Sequence, residues 1–371
     1  MKMLSVRPEI LKFERFEEFA REFKISQGDL VITHEFLFDE FMKPLKLEAD
    51  FCFQEKYGGE PSDEMIDKIL AEFTNEKCKR VFAIGGGSVI DIAKILILKD
   101  VTSTLDVFEK KTAIIKDKEL VVVPTTCGTG SEVTNISIAK IVSKETKMGL
   151  AVDELYPDYT AIIPELLLGL PFKYFAYSSI DALIHAVEAY VSPKANSFTE
   201  LFSVKAIEMI IDGYVKIIEK GEEYRSEIIE DFLVASTFAG VAFGNAGVGA
   251  VHALSYPLGG KYGVPHGEAN YQIFTGVFKV YNQKDPNGKI AKLNQLLADK
   301  LGVENSGDIY DKLEVLLNKI TPKKELKVYG MKEEEIDIFA DGVIAGQQRL
   351  LANNYVALSR DEIAAIYRKL Y

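Results

Sequence analysis

The chain has 371 residues, 47% of them hydrophobic, and a formal net charge of -12. That length favours two domains over a single core, and the acidity argues against a nucleic-acid surface, which needs concentrated basic charge. Three scattered cysteines, Cys52, Cys78 and Cys127, suit a reduced, cytoplasmic setting better than a disulfide framework. The opening residues lack the apolar stretch of a signal peptide, and no apolar run reaches the roughly 20 residues needed to span a bilayer.

In chain order, Asp29–Thr33 reads as a short buried strand. His34-Glu35 follows it, as in a His-Glu-x-x-His zinc helix, but Phe38 stands where the second histidine should be. His34 is therefore read as a polar residue at a strand end, facing the adenosine ribose if the sheet binds a nucleotide. Residues 61–73 carry helical spacing, with Met65, Ile66, Ile69, Leu70 and Phe73 on one stripe. Residues 81–84 form the next expected strand, and they run into Gly85-Gly86-Gly87-Ser88 and a helix over 89–98. Strand, glycine-rich turn and helix together present bare N–H groups and a positive helix end to phosphate. Ser88 is the expected cap of that helix. The run is neither a Walker loop nor a strict Gly-x-Gly-x-x-Gly, and a tight turn without a ligand would read the same way.

Residues 119–123 form another strand, leaving through Pro-Thr-Thr-Cys-Gly-Thr-Gly-Ser-Glu at 124–132. Two such exits in one α/β half point to a nucleotide at the carboxyl edge of a sheet. Cys127 has no histidine near it in sequence and reads as a core thiol rather than a nucleophile. Residues 140–159 look polar and turn-rich, and 161–170 are apolar up to Pro171. A domain boundary is placed here, giving an α/β domain over 1–172 and an all-helical domain over 173–371. The helices expected in the second half are 178–192, 199–219, 225–243, 287–301, 307–319, 332–351 and 360–370.

Only four histidines occur in the chain, and two of them, His252 and His266, fall within residues 247–270. A third, His185, lies four positions after Asp181, on one face of a helix that Ser178 is expected to cap. Three imidazoles and a carboxylate suit one divalent ion with a position left open for substrate. Three unrelated buried histidines, each bonded to backbone, are the alternative.

The run Gly85-Gly86-Gly87-Ser88-Val89-Ile90-Asp91-Ile92-Ala93-Lys94, the turn at 124–132, and the segments 181–192 and 252–270 together resemble the iron-dependent (group III) alcohol dehydrogenases. The resemblance covers nearly the whole chain. It implies an α/β dinucleotide domain, a helical domain and a homodimer. It makes Asp181, His185, His252 and His266 the ligands of Fe2+ or Zn2+, and Gly86, Gly87 and Ser88 the pyrophosphate cradle. Asp91, Thr126, Thr129 and Lys147 would lie along an NAD molecule. Runs 243–252, 332–336 and 346–351 resemble the members that act on 4-hydroxybutyrate, which implies hydride transfer between that hydroxy acid and succinate semialdehyde. Lys261, between two ligands in sequence, is a candidate for the substrate carboxylate; a solvated loop lysine is the alternative.

Three positions depart from the family pattern. His34 stands where many members carry an aspartate that favours NAD over NADP. Glu60-Pro61-Ser62 replaces Asn-Pro-Thr. Tyr256 replaces a second histidine and is the candidate, with a ribose hydroxyl or water, to relay a proton. A polyol dehydrogenase or other small-alcohol dehydrogenase, a dehydroquinate-synthase-like lyase, and a metal-stabilised binding protein without turnover are the rival readings. An NADH assay over alcohols and ω-hydroxy acids separates them.

Overall fold

The computed structural model describes residues 2–73, 78–144, 146–305 and 307–371. The chain divides into two compact units, Val6–Leu170 on the one hand and Pro171–Tyr371 with Met1–Ser5 on the other.

The Val6–Leu170 unit is built on a sheet of strands β1 (Glu9–Lys12), β2 (Asp29–Thr33), β3 (Asp50–Phe53), β4 (Arg80–Gly85) and β5 (Glu119–Pro124), of which β2, β4 and β5 are buried apolar runs while β1 and β3 are largely exposed or half-buried. Two further strands, β6 (Ile136–Ile141) and β7 (Thr146–Ala151), form a separate two-stranded sheet, and β8 (Tyr159–Ile162) rejoins the main sheet. The six-stranded order is β1-β8-β5-β4-β2-β3, parallel at every pairing. Both faces of such a sheet are covered, so its strands lose the alternation of a half-exposed sheet. In β4, Val81 and Ala83 face a core shared with Ile66, Ile69, Val89 and Ile92 of two helices, Asp63–Phe73 and Gly87–Leu96. Phe82 points the other way and meets Phe19 and Phe23 edge-on at 6.2 and 6.1 Å.

Two expectations fail in this unit. Residues 140–159 are not merely turns: they hold part of the antiparallel β6–β7 hairpin, in register from Ile136↔Ala151 to Ile141↔Thr146. The hairpin's half-exposed strands carry Lys140 and Lys147, which masked them in a hydropathy reading. Nor does Ser88 cap its helix; Gly86 stands at the cap without a side-chain bond, and Ser88 lies inside the first turn.

The second unit is helical. Its long helices are Phe172–Val191, Ser197–Lys220, Ile229–Ala246, Ala250–Tyr262, His266–Lys284, Gly288–Leu301, Ile309–Ile320, Glu335–Gly346 and Arg360–Leu370. Capping boxes at Asn196/Thr199 and Ser359/Glu362 start two of them. The first helix begins six residues earlier than expected, so Ser178 is not its cap; the Ser178 hydroxyl bonds the Phe175 carbonyl one turn back. From Ile180 to Val191 every residue of that helix is buried, which makes it the centre of the unit. The helices Ala250–Tyr262 and His266–Lys284 were not among those expected. Between the segments Glu222–Ala246 and Ala250–Tyr262 the axis turns through 104° at Gly247-Val248-Gly249. Gly247 has φ +80°, and a Cβ there would lie 2.4 Å from Asn353 Nδ2. Among the described residues no single helix is long and apolar enough to cross a membrane.

Candidate metal centre and dinucleotide turn

Asp181 and His185 come from successive turns of the central helix, His252 from the first turn of Ala250–Tyr262, and His266 from the first residue of His266–Lys284. One donor atom from each lies within 4.8 Å of all the others. The Asp181 carboxylate is the hub, with His252 Nε2 at 3.9 Å and the Nε2 atoms of His185 and His266 at 4.0 Å. Asp181, His185 and His252 are buried, and His266 is partly open to solvent. Burial alone would raise the Asp181 pKa, but the three imidazoles and the Asn270 amide outweigh it and hold the carboxyl below its usual value.

The surroundings fix these donors. Glu188, on the same helix as Asp181, places Oε2 2.6 Å from His252 Nδ1 and accepts the Val251 N–H on Oε1 at 2.7 Å. One buried carboxylate thus orients an imidazole and terminates the helix that carries it. With Nδ1–H donated to Glu188, His252 presents the Nε2 lone pair inward, and that atom is buried with no hydrogen-bond partner. An orphaned acceptor amid three other donors fits a cation, because burial without a partner is otherwise unfavourable. Asn270, one turn beyond His266, donates to Asp181 Oδ1 at 2.7 Å and sits 3.1 Å from His266 Nε2. Phe243 stacks on the His185 ring at 4.3 Å. At Gly267 an added Cβ would lie 2.5 Å from the Tyr177 carbonyl oxygen and 3.3 Å from Asp181 Cβ, so glycine is what lets the His266 helix approach.

Glu188 and Asn270 were not singled out from the sequence. The signal was present: Glu188 stands at i+7 from Asp181 and Asn270 at i+4 from His266, each on its partner's helix face. Tyr256 falls beside the cluster, its ring centroid 6.3 Å from that of His266. Lys261, a turn later, is half exposed and pairs with Glu335, which also binds the Tyr262 hydroxyl.

In the α/β unit, β4 and β5 pair up to Gly85↔Pro124, so their exits lie side by side. A Cβ at Gly87 would fall 2.6 Å from Thr129 Cγ2, and one at Gly86 3.3 Å from Thr126 Cγ2. The turn is therefore bare backbone at the start of the Gly87–Leu96 helix, flanked by two threonines, with Gly86, Gly87 and Ser88 all partly open to solvent. That fits a pyrophosphate. Asp91 is engaged behind the turn: its carboxylate accepts Ser131 Oγ–H at 2.8 Å and Ile138 N–H at 3.1 Å. Fully buried Lys94 donates to Ser131, Thr134 and the Ile136 carbonyl. These bonds tie the helix to β6. Lys147, on β7, pairs with Glu60 at 2.7 Å. Cys127 is fully buried.

Family models match the chain in two blocks: residues 10–164 match iron-containing alcohol dehydrogenase, and residues 175–371 match the C-terminal part of the Fe-containing alcohol dehydrogenase family. The chain belongs to the iron-containing alcohol dehydrogenase family. It is an oxidoreductase by that membership. This dehydrogenase is 57% identical to 4-hydroxybutyrate dehydrogenase of Clostridium kluyveri over 372 residues, covering 100% of both chains. Its fold matches the crystal structure of a 1,3-propanediol oxidoreductase with a TM-score of 0.84 and 26% identity over 100% of both chains. It matches sulfoacetaldehyde reductase from Bifidobacterium kashiwanohense, solved with NAD+, with a TM-score of 0.84 and 22% identity over 100% of this chain and 98% of the other.

Proposed function

We propose that this dehydrogenase interconverts 4-hydroxybutyrate and succinate semialdehyde, with NAD as hydride carrier and Fe2+ or Zn2+ held by Asp181, His185, His252 and His266. The observation that carries the substrate is the full-length 57% identity to a 4-hydroxybutyrate dehydrogenase. The donor geometry supports the ion, and the glycine turn supports the dinucleotide. Three imidazoles and one carboxylate suit either ion.

When bound, the ion supplies Lewis acidity at the substrate oxygen and the nicotinamide supplies the hydride. The chain does the rest. Glu188 and Asn270 hold the donors in one orientation before substrate arrives. The backbone of Gly86, Gly87 and Ser88 receives the pyrophosphate, with Thr126 and Thr129 flanking it; Asp91 holds the turn from behind through Ser131 and Ile138, and Lys147 reaches the dinucleotide by leaving Glu60. On this reading Tyr256, whose ring lies 6.3 Å from that of His266, passes the alcohol proton on. Lys261 serves the substrate carboxylate by exchanging its Glu335 partner for it. If Lys261→Met leaves the ratio of 4-hydroxybutyrate to butanol turnover unchanged, Lys261 has no such part. On the same reading the enzyme is a cytoplasmic homodimer acting on a small hydroxy acid and its aldehyde.

The deciding experiment follows NADH formation with the anaerobically purified protein over butanol, 1,3-propanediol, glycerol and 4-hydroxybutyrate, with metal content measured on the same sample. The expected result is the highest kcat/KM on 4-hydroxybutyrate and about one ion per chain. Higher kcat/KM on an uncharged diol or alcohol would reject the substrate.

A further inference from the structure

The strand next to the glycine-turn strand carries a second reading, which rests on NAD occupying the β4 turn. In nucleotide-binding α/β sheets the carboxyl end of that neighbouring strand meets the adenosine ribose, with an acid for a 2′-hydroxyl and an arginine for a 2′-phosphate. Here the neighbour is β2, parallel to β4 with Ile32 opposite Ala83. It ends in Thr33-His34, and the acid that follows, Glu35, opens the short helical turn Glu35–Leu37 instead of extending the strand.

The acid at this place comes from another strand. β3 pairs with β2 as far as Thr33↔Phe53, and the chain then turns through a 3-10 segment, Gln54–Tyr57. That turn carries Glu55 over the end of β2. Its Oε1 accepts the Glu35 N–H at 2.6 Å, and its Oε2 lies 3.1 Å from His34 Nδ1. The side chain is 40% exposed, so the fixed carboxylate still faces solvent. Burial opposes its charge, but the N–H groups of Glu35 and Glu55 and the His34 ring outweigh that and keep the pKa below the ordinary glutamate value. The His34 ring in turn stacks at 13° on Phe36, itself 63% exposed.

Among the described residues, two lysines beside this strand end have other partners. No arginine occurs between Asp29 and Lys79. Lys43 pairs with Asp39 at 2.8 Å, and Lys56 lies over the Phe53 ring at 4.5 Å. Arg80 is bound to Asp29 at the opposite, amino end of β2.

We propose that Glu55, held by His34 and the Glu35 N–H, is the residue that accepts the adenosine 2′-hydroxyl and selects NAD(H) over NADP(H). The acid that reads the ribose is thus delivered from β3 rather than β2. A 2′-phosphate would meet a fixed carboxylate instead of a cation.

The test measures dissociation constants of NADH and NADPH by nicotinamide fluorescence on the full-length protein, for wild type, Glu55→Gln and His34→Gln. Circular dichroism of each variant checks the fold. The expected wild-type preference for NADH is about a hundredfold or more, and Glu55→Gln reduces it by about tenfold, by weakening NADH and improving NADPH. His34→Gln, which leaves the carboxylate less fixed, falls between the two. A wild type that prefers NADPH, or an unchanged NADH/NADPH ratio in folded Glu55→Gln, overturns the role of Glu55 while leaving the dinucleotide site in place. A wild type that binds neither nucleotide overturns the site itself.

Discussion

Glu188 Oε2 and His252 Nδ1 are 2.6 Å apart in the interior of the helical unit, and the second oxygen of that carboxylate holds the Val251 N–H at 2.7 Å. A glutamine can accept only one of these bonds with its carbonyl, and its amide N–H₂ would face a second donor. Glu188→Gln is expected to lower metal affinity about 10–100-fold with the helical fold retained. Chelator competition followed by metal analysis measures this, and wild-type affinity in the variant would remove Glu188 from the role.

Gly267 and Gly260 make a matched pair. Alanine at Gly267 drives a methyl against the Tyr177 carbonyl, whereas nothing lies within 4 Å of a Cβ at Gly260. Gly267→Ala is expected to destabilise by about 1–3 kcal/mol, and Gly260→Ala, in a helix, to stabilise by up to about 1 kcal/mol. Urea midpoints compared across the two variants test the contrast. Equal effects would mean that the helices yield easily at the metal centre.

Gly87→Ala should weaken NADH binding by about tenfold or more, because the methyl meets Thr129 Cγ2 and pushes apart the two strand exits. Metal content should not change, since the donors belong to the other unit. Fluorescence titration and metal analysis on the same sample read both halves of this expectation.

Lys94 links stability to pH. Burial pushes its pKa down to about 8, against the pull of Asp91 and Glu132. A lysine whose folded pKa lies below its unfolded value binds fewer protons folded than unfolded between those values, so stability rises with pH across about 8 to 10.5. Wild type should therefore gain stability relative to Lys94→Met between pH 7.5 and 9.5. Parallel urea curves that keep a constant separation over that range would contradict it.

How much was legible from sequence divides along physical lines. The three central strands β2, β4 and β5 announced themselves as short apolar runs, as in Val81-Phe82-Ala83-Ile84, because both faces are buried, whereas β1, β3 and β8 went unread, β1 and β3 for want of a buried apolar run. In the second unit, helices with a wet side were equally plain. The two helices bearing His252 and His266 were not, because Ala250–Tyr262 is buried along most of its length and interrupted by Pro257 and two glycines. Such a segment has no polar stripe to give it a period. Asp181 and His185 were phased by a single helix, so their pairing needed no tertiary knowledge. Their meeting with His252 and His266 required knowing that the chain bends sharply at Gly247-Val248-Gly249. Glu55 was invisible for a different reason: it sits on the 3-10 segment after the edge strand β3 and meets His34 and the Glu35 N–H only through tertiary hydrogen bonds, and nothing in its local sequence marks that.

The sharp bend has a further implication. It sets donors from chain positions as distant as Asp181 and His266 around one small volume. An ion gripped there binds the folded arrangement of donors and not the dispersed one, so it holds the fold together by mass action. Withdrawing the ion would then do more than silence turnover: it would loosen the packing of the whole helical half, so that heat resistance tracks how much metal the surroundings supply.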